Sequence, residues 1–459
     1  MAGSDRSPTR AVVAGASIAG LLSARVLADY WPEVWLVDRD VLPDIPASRK
    51  SVPQDRHAHA LLAKGLEIIE SLFPGLTRDS QSQGAIRGQA RYFLGGGFHC
   101  DPPDAPTGLM VSRLLLENAI RRRVRALSNV RCLDNCVVTG PAFDDDRTRV
   151  SGVSIRSETG IETCAADLLV DATGRGSHMG AWLKSAGYPQ PETELVEVRV
   201  GYATRQYRRN GDELSGAAAL NIGPSSENRR AGGIFAQEGD RWIVSMAGYC
   251  GDHPPADEQG FLDFARSLPA PDIYNLISRA TPLGPIVTHR FPANQRRHYE
   301  RLSRLPNGLI AVGDTICSFT PIYGQGMTVA ALEACALAAE LAEGTDELPA
   351  RFFRSASSIV DAAWMVTAGN DRRVVGAPQQ YPARAVGWYM GKLQIAARKD
   401  RVVSAAFRRV AHMMAPPQSL LRPHIAYRVL WKNLRAASQP RPRDVEASSS
   451  ELLHAPRRA

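Results

Sequence analysis

Two glycine-marked turns carry the residue types and spacings from which chemistry can be read in this chain. The first is Gly15-Ala16-Ser17-Ile18-Ala19-Gly20, a GxSxxG pattern that follows the apolar run Val12-Val13-Ala14. In such a turn the first glycine permits a tight bend, the middle position admits close approach of a diphosphate, and the last permits close helix packing. Ser17 is small, so that approach stays open. A helix starting at Ile18 offers unpaired N–H groups and the positive end of its dipole to phosphate. Asp38 lies 23 residues past Gly15, at the end of a second apolar run. A carboxylate there can accept hydrogen bonds from ribose hydroxyls. It would repel a 2′-phosphate, so FAD or NAD is favoured over NADP.

The second turn is Leu309-Ile310-Ala311-Val312-Gly313-Asp314, with Gly324 and Gly326 beyond it. It reads as another buried strand ending in an acid, then a glycine-rich helix start. Placed beside the first strand, Asp314 would face a cofactor's ribityl chain, and the helix start would stabilise negative charge on a bound ring. Alone, this turn reads equally well as a strand–turn–helix with structural glycines. Together and in this order the two turns bracket one long cofactor, FAD. Arg113 opens a helix, where a cation gains nothing from the dipole; phosphate contact or plain solvation would account for it. His57 and His59 invite a metal reading. A spacing of two puts them on different sides of a helix and no third ligand is evident, so no metal is expected.

These residues need elements to position them. Residues 9–15, Val34 to Asp38 and the helix 18–30 between them read as an opening βαβ unit. A helix is expected over 58–72, a hairpin over 88–100 and a helix over 112–127. Short strands follow at 130–136, 150–155 and 168–171. From 190 to 290 the pattern turns to alternating strands (196–207, 230–237 and 242–247), then a helical stretch at 257–279. A helix is expected from 326 to 341. The domain reading is an FAD-binding domain in three parts (9–85, 108–189, 291–345), a substrate domain (86–107 and 190–290), a helical region (346–435) and a disordered tail (436–459).

Composition narrows the class. The 459 residues, 44% hydrophobic and 22% charged, suit a globular chain of two or three domains. The net charge of +8 comes from dispersed arginines without zinc-finger spacing or a basic-region heptad, so nucleic acid is not an expected partner. Seven scattered cysteines without a CxxC pair fit reduced thiols and a cytoplasmic location. The start of the chain lacks an apolar signal core. No run reaches the roughly 18–20 apolar residues of a membrane span, although the arginine-rich apolar stretch 402–434 would suit peripheral membrane contact.

With Asp171-Ala172-Thr173-Gly174 as a third marker, the chain resembles the FAD-dependent aromatic-hydroxylase and squalene-epoxidase-like monooxygenases. More closely it is similar to the actinobacterial polyether flavin epoxidases of the lasalocid and monensin type. That similarity rests on Arg49-Lys50-Ser51-Val52-Pro53-Gln54, Arg56-His57-Ala58-His59, Gly174-Arg175-Gly176-Ser177, Tyr202-Ala203-Thr204-Arg205, Arg241-Trp242-Ile243-Val244 and Pro321-Ile322-Tyr323-Gly324-Gln325-Gly326-Met327, and runs from residue 11 to about 375. The resemblance implies an α/β fold with a Rossmann-like FAD-binding domain, an inserted antiparallel β-sheet substrate domain and C-terminal helices. It implies that Gly15, Ser17 and Gly20 hold the diphosphate, that Asp38 binds the adenosine ribose, and that Arg39 and Val137 lie by adenine. Arg113 and Asp314 would contact the diphosphate or ribityl region. Gly326 and Met327 would lie near the isoalloxazine, with Arg49, Gln54, His57, Pro321, Gly324 and Gln325 around the ring; a packed loop position is the alternative for His57.

The implied activity is transfer of one oxygen atom from O2 through a flavin C4a-hydroperoxide, most readily to an alkene of a lipophilic polyketide or terpenoid. Electrons would come from NAD(P)H, directly or through a separate flavin reductase. Aromatic hydroxylation and reduction of prenyl double bonds are the alternatives. The WxWxIP segment of flavin-dependent halogenases is absent; Trp31 and Trp35 lie in the opening βαβ unit. No base for phenol chemistry is identified in the sequence. Trp242, Phe235, Tyr202 and Phe319 are candidates for the substrate wall.

Overall fold

The computed structural model describes residues 9–211, 213–379, 381 and 383–437. Its centre is a five-stranded parallel sheet. The strand order is Leu309–Ala311, Leu168–Asp171, Ala11–Ala14, Val34–Val37, Val130–Leu133. Strands covered on both faces are apolar throughout rather than alternating, and Ala11 to Ala14, Leu168 to Val170 and Leu309 to Ala311 are all at most 1% exposed. Register places Ala14 opposite Asp171, and Asp171 opposite Ala311. The C-terminal ends of three strands, and the turns that follow them, therefore meet at one edge. The helix Ile18–Leu27 packs against the helix Gly326–Ala342.

A second, eight-stranded sheet runs Cys317–Ser318, Val287–Arg297, Thr193–Arg208, Arg241–Gly248, Arg230–Gln237, Ala219–Ile222, Ala90–Leu94, Gly97–Phe98. Side chains alternate between its faces. In Thr193–Arg208, Ala203 and Tyr207 join Trp242 and Phe261 in an apolar core beneath the helices Glu258–Arg266 and Asp272–Ile277. Tyr202 and Thr204 point the other way, towards His57. The helices Leu348–Val374, Ala383–Ala397, Arg401–Ala411 and Pro423–Ala437 close the molecule.

The α/β architecture with an added β-sheet and C-terminal helices stands as read from the sequence, with local corrections. The helix expected over 58–72 begins at Ala63, after a short strand Ala60–Leu61 that pairs with Gly108–Met110. The stretch 257–279 is two helices. The hairpin expected near 88–100 joins the sheet through a parallel pairing of Ala90–Leu94 with Ala219–Ile222, so the sheet is not purely antiparallel. Residues Val137–Phe143, Val150–Ser157 and Gly160–Ala165 form a three-stranded meander, of which the sequence pattern indicates only the middle strand. The strand Val287–Arg297 runs across residue 290 without a break. Beyond Ala437 the expected tail lies outside the described residues.

Candidate active site

The two opening turns and the Asp171-Ala172-Thr173-Gly174 segment converge. Gly15 has φ +101°, and a Cβ there would stand 2.6 Å from the Ala172 carbonyl oxygen. A Cβ on Gly20 would stand 1.7 Å from the carbonyl oxygen of Gly15. Neither position has room for a side chain, so the first turn and the first helix close on each other only through glycine. The Gly174 amide donates to Thr315 Oγ1 at 2.9 Å, joining the third marker to the second turn.

Beneath the first turn lies a buried charge cluster. Glu117 is 5% exposed and accepts from four side chains. Its Oε1 takes Arg49 Nη2 at 2.7 Å and Arg121 Nη1 at 3.2 Å; its Oε2 takes Ser17 Oγ at 2.9 Å and Arg113 Nε at 3.3 Å. Arg113 Nη2 also donates to Ser17 Oγ at 2.8 Å. Arg49 donates to the Ala16 carbonyl and lies 3.1 Å from Asp38. The Asp38 carboxylate in turn accepts the Ala16 amide at 2.6 Å and the Asp40 amide at 2.9 Å. Burial alone would raise the Glu117 pKa, but the charges of Arg113 and Arg49 outweigh it and hold the group below the ordinary glutamate range. Three arginines face Glu117, Asp38 and, 3.8 Å from Arg49, Asp40, so the cluster is balanced in charge; Arg113 also lines the cavity beside a helix N-terminus, an arrangement suited to a diphosphate.

The sequence motif assigns Ser17 a role through its small size and its amide; the structure adds a hydroxyl that bridges Arg113 and Glu117. Arg113 is neither solvated nor without a partner, since it is 8% exposed and paired with Glu117. Arg49, read from the sequence as lying near the flavin ring, is tied to the first turn and to Glu117. Glu117 and Arg121 are not singled out by the sequence reading, although Arg113, Glu117 and Arg121 stand four residues apart on one helix face, a spacing that favours ion pairing.

The second turn is braced from below. The Gly313 amide donates to Glu333 Oε2 at 2.6 Å, in the core of the helix Gly326–Ala342. Burial is the main cause that lifts Glu333 from an ordinary 4.5 to about 8, with the Asp314 charge adding to it and the Gly313 hydrogen bond opposing. A folded-state pKa above the unfolded one means stability present at low pH and lost as pH rises towards 8. Across thermal melts of the cofactor-free chain between pH 5 and pH 9, the parent is expected to lose stability relative to Glu333→Gln as pH rises. The comparison cancels the opposite trend of His57, His59, His99 and His412, whose lowered pKa values favour the fold as pH rises towards 6.5. Parallel curves for the two proteins would show Glu333 to be ionised throughout.

Farther along, Asp371 of the helix Leu348–Val374 is wholly buried and gathers four donors. Tyr249 and Tyr323 donate to Oδ1 at 2.8 and 2.7 Å; Asn294 Nδ2 donates to Oδ2 at 2.7 Å, as does Thr320 Oγ1. Thr367 of the same helix donates to Gln325 at 3.0 Å. The segment Thr320 to Gln325 is thus held from behind by a helix that follows it in the chain.

All the predicted site residues except Gly20 line one cavity of about 1540 Å3. Asp38, Arg39 and Val137 stand with Trp182 on its wall; Asp314, Pro321, Gly324 and Met327 line it too, as do Gln54 and His57. Of the candidate wall residues, Tyr202, Phe235 and Phe319 face the cavity, whereas Trp242 is core beneath the helices on the other side of the sheet. Among the described residues no group of three or more His, Cys, Asp or Glu side chains could hold a metal ion.

No family model matches the chain. The protein Rv3254 of Mycobacterium tuberculosis is 34% identical to it over 460 aligned residues, covering 94% of this chain and 96% of that one. The chain belongs to the Rv3254 family. Solved structures place the fold of this Rv3254-family chain among flavin enzymes. The flavin-dependent brominase Bmp2 matches 94% of the chain and 99% of its own length with a TM-score of 0.66 at 14% identity. The p-nitrophenol 4-monooxygenase PnpA of Pseudomonas putida matches 88% and 98% with a TM-score of 0.62 at 17% identity. PqsL of Pseudomonas aeruginosa, a probable FAD-dependent monooxygenase, matches 80% and 98% with a TM-score of 0.61 at 15% identity. The chain has the fold shared by flavin-dependent monooxygenases and halogenases.

Proposed function

We propose that the protein is an FAD-dependent monooxygenase that transfers one oxygen atom of O2 to a lipophilic small molecule. The observation that carries this reading is that one cavity collects the residues of both turns. Pockets for one drug-sized ligand measure about 300–1,000 Å3, and ≈1540 Å3 has room for a dinucleotide and a substrate together. The residues present fit FAD. The side-chain-free glycine cradle, the helix N-terminus and the cavity-lining Arg113 suit its diphosphate, and Asp38 and Asp314 suit its two polyol segments. When bound, FAD supplies the activation of O2, with NAD(P)H as the electron source, directly or through a separate reductase.

The chain's own residues then bind, orient and exclude water. Arg113 and Ser17 hold the diphosphate end. The segment from Thr320 to Met327, fixed by Asp371, shapes the opposite region of the cavity. Phe235 and Phe319 give part of the remaining space an apolar wall, which suits an alkene-bearing polyketide or terpenoid and hence epoxidation. Hydroxylation of an aromatic substrate is the second reading, favoured by the polar groups that Tyr202 and His57 turn towards the same space.

Purified protein is expected to be yellow or to take up FAD. Asp314→Ala is expected to weaken FAD binding by about tenfold or more, measured by quenching of flavin fluorescence; equal affinity would remove Asp314 from the site. Incubation with NAD(P)H, a flavin reductase and isotopically labelled O2 is expected to place one labelled oxygen in a polyene or prenyl product, and an unlabelled reduced product would point to a reductase instead.

A further inference from the structure

We infer that His57, Tyr202 and His289 form a subsite for a hydroxyl group of the substrate. His57 follows the short helical turn Pro53–Arg56 and is 5% exposed. Tyr202 and His289 come from neighbouring strands of the second sheet and stand opposite each other in register. The three rings make a closed group: His57 and Tyr202 meet edge-on at 4.5 Å between centroids, Tyr202 and His289 lie at 5.3 Å, and His57 and His289 at 5.8 Å. All three line the cavity.

Hydrogen bonding within this group is one-sided. His57 Nδ1 lies 2.8 Å from Thr204 Oγ1, which lies 2.7 Å from Ser245 Oγ, so the back of the imidazole is fixed. The front is not. His57 Nε2, the Tyr202 hydroxyl and both ring nitrogens of His289 have no hydrogen-bond partner among the described residues. None of them is among the sealed polar atoms of the interior, so they open on the cavity. Tyr202 is 7% exposed and lines a cavity whose wall also includes Phe235 and Phe319. Polar groups desolvated in this way cost free energy unless a ligand or water satisfies them.

The chemistry of the set selects the ligand group. Burial drives His57 down to about 3, and lowers His289 as well, so both imidazoles are neutral near pH 7. A carboxylate or phosphate would find no cation in the group, and an amine would find no anion. Each neutral imidazole is a donor at one nitrogen and an acceptor at the other, and the tyrosine hydroxyl is both. A hydroxyl, which also donates and accepts, can meet His57 Nε2 in either imidazole tautomer; a carbonyl can meet it only when Nε2 carries the proton. The role is binding and orientation: the group fixes which carbon of an otherwise greasy substrate faces the cofactor. This inference rests on the reading of the cavity as a substrate site.

The test is calorimetric, on the full chain loaded with FAD, using two matched pairs: farnesol with its methyl ether, and 2-naphthol with 2-methoxynaphthalene. At least one alcohol is expected to bind about tenfold or more tightly than its ether, and that preference is expected to collapse in Tyr202→Phe and in His57→Leu, with FAD content and melting temperature kept in Tyr202→Phe. Ethers that bind as tightly as the alcohols overturn the proposal. So does the absence of measurable binding by either alcohol, or a preference that survives both substitutions. A chain that takes up no FAD fails the earlier reading instead, and its visible spectrum distinguishes the two failures.

Discussion

Replacing Glu117 by glutamine is expected to cost about 3–5 kcal/mol of stability, the range for breaking a buried ion pair by removing one partner. The side chain keeps its size but loses the charge that answers Arg49, Arg113 and Arg121, all at most 8% exposed. Asp38 then remains as the nearest counter-charge, and it already binds the Ala16 amide and Arg49. Three buried cations would repel one another beneath the first turn, and one of the two acceptor oxygens would become an amide donor facing groups that are themselves donors. Denaturant melts should show the loss, and FAD titration should show weakened binding, because the turn and the arginines move together. The sign with pH follows from the depressed pKa of Glu117. Its contribution is present above the ordinary glutamate value of 4.5 and fades as pH falls through its lower folded value. The difference between parent and variant should therefore shrink in acid. Equal melting of the two proteins at neutral pH would show the cluster to be energetically idle.

Replacing Asp371 by alanine is expected to have an effect of similar size by a different route. Four donors, Tyr249, Asn294, Thr320 and Tyr323, would lose one shared acceptor, and a buried donor left unmade costs about 1–3 kcal/mol. Water entering the space would satisfy some of them, so a total of about 3–6 kcal/mol is reasonable. The segment from Thr320 to Gly324 would keep only the Asn370–Tyr323 hydrogen bond to the helix Leu348–Val374, with Thr367 still holding the neighbouring Gln325. Weakened flavin binding should accompany the drop in melting temperature. Asp371→Asn, which keeps one acceptor oxygen, should recover part of both. A variant that melts low yet binds FAD as the parent does would confine Asp371 to a folding role.

What could be read from the sequence and what could not differ in range. The glycines of the first turn announce themselves because their constraint is local: Gly15 bends the backbone and Gly20 touches a residue five positions earlier. The parallel strands announce themselves by unbroken apolar runs. Glu117 does not, because an acid between arginines in a helix is the ordinary pattern of a solvated face, and its burial depends on Arg49 arriving from 68 residues away. Asp371 is hidden for the same reason, since its partners lie between 48 and 122 residues distant. Val137–Phe143 escapes notice because its residues are half-buried throughout, without alternation. His57 could be quoted as part of a motif, yet its place beside Tyr202 and His289 is a property of the sheet alone.

The interleaving of the two sheets has a consequence for the chain as it is made. The opening strand Ala11–Ala14 pairs with Leu168–Asp171, which gains its other neighbour only when Leu309–Ala311 appears. The second sheet likewise waits for strands from Ala90 to Ser318. At about 5–20 residues per second, translation from the first strand to the last takes roughly 15–60 s. Throughout that interval a nascent chain displays bare apolar strand edges, which are templates for aggregation. No early fragment can bury them by itself, so the ribosome-bound protein is a natural client for chaperones, and truncated versions should be recovered as inclusion bodies.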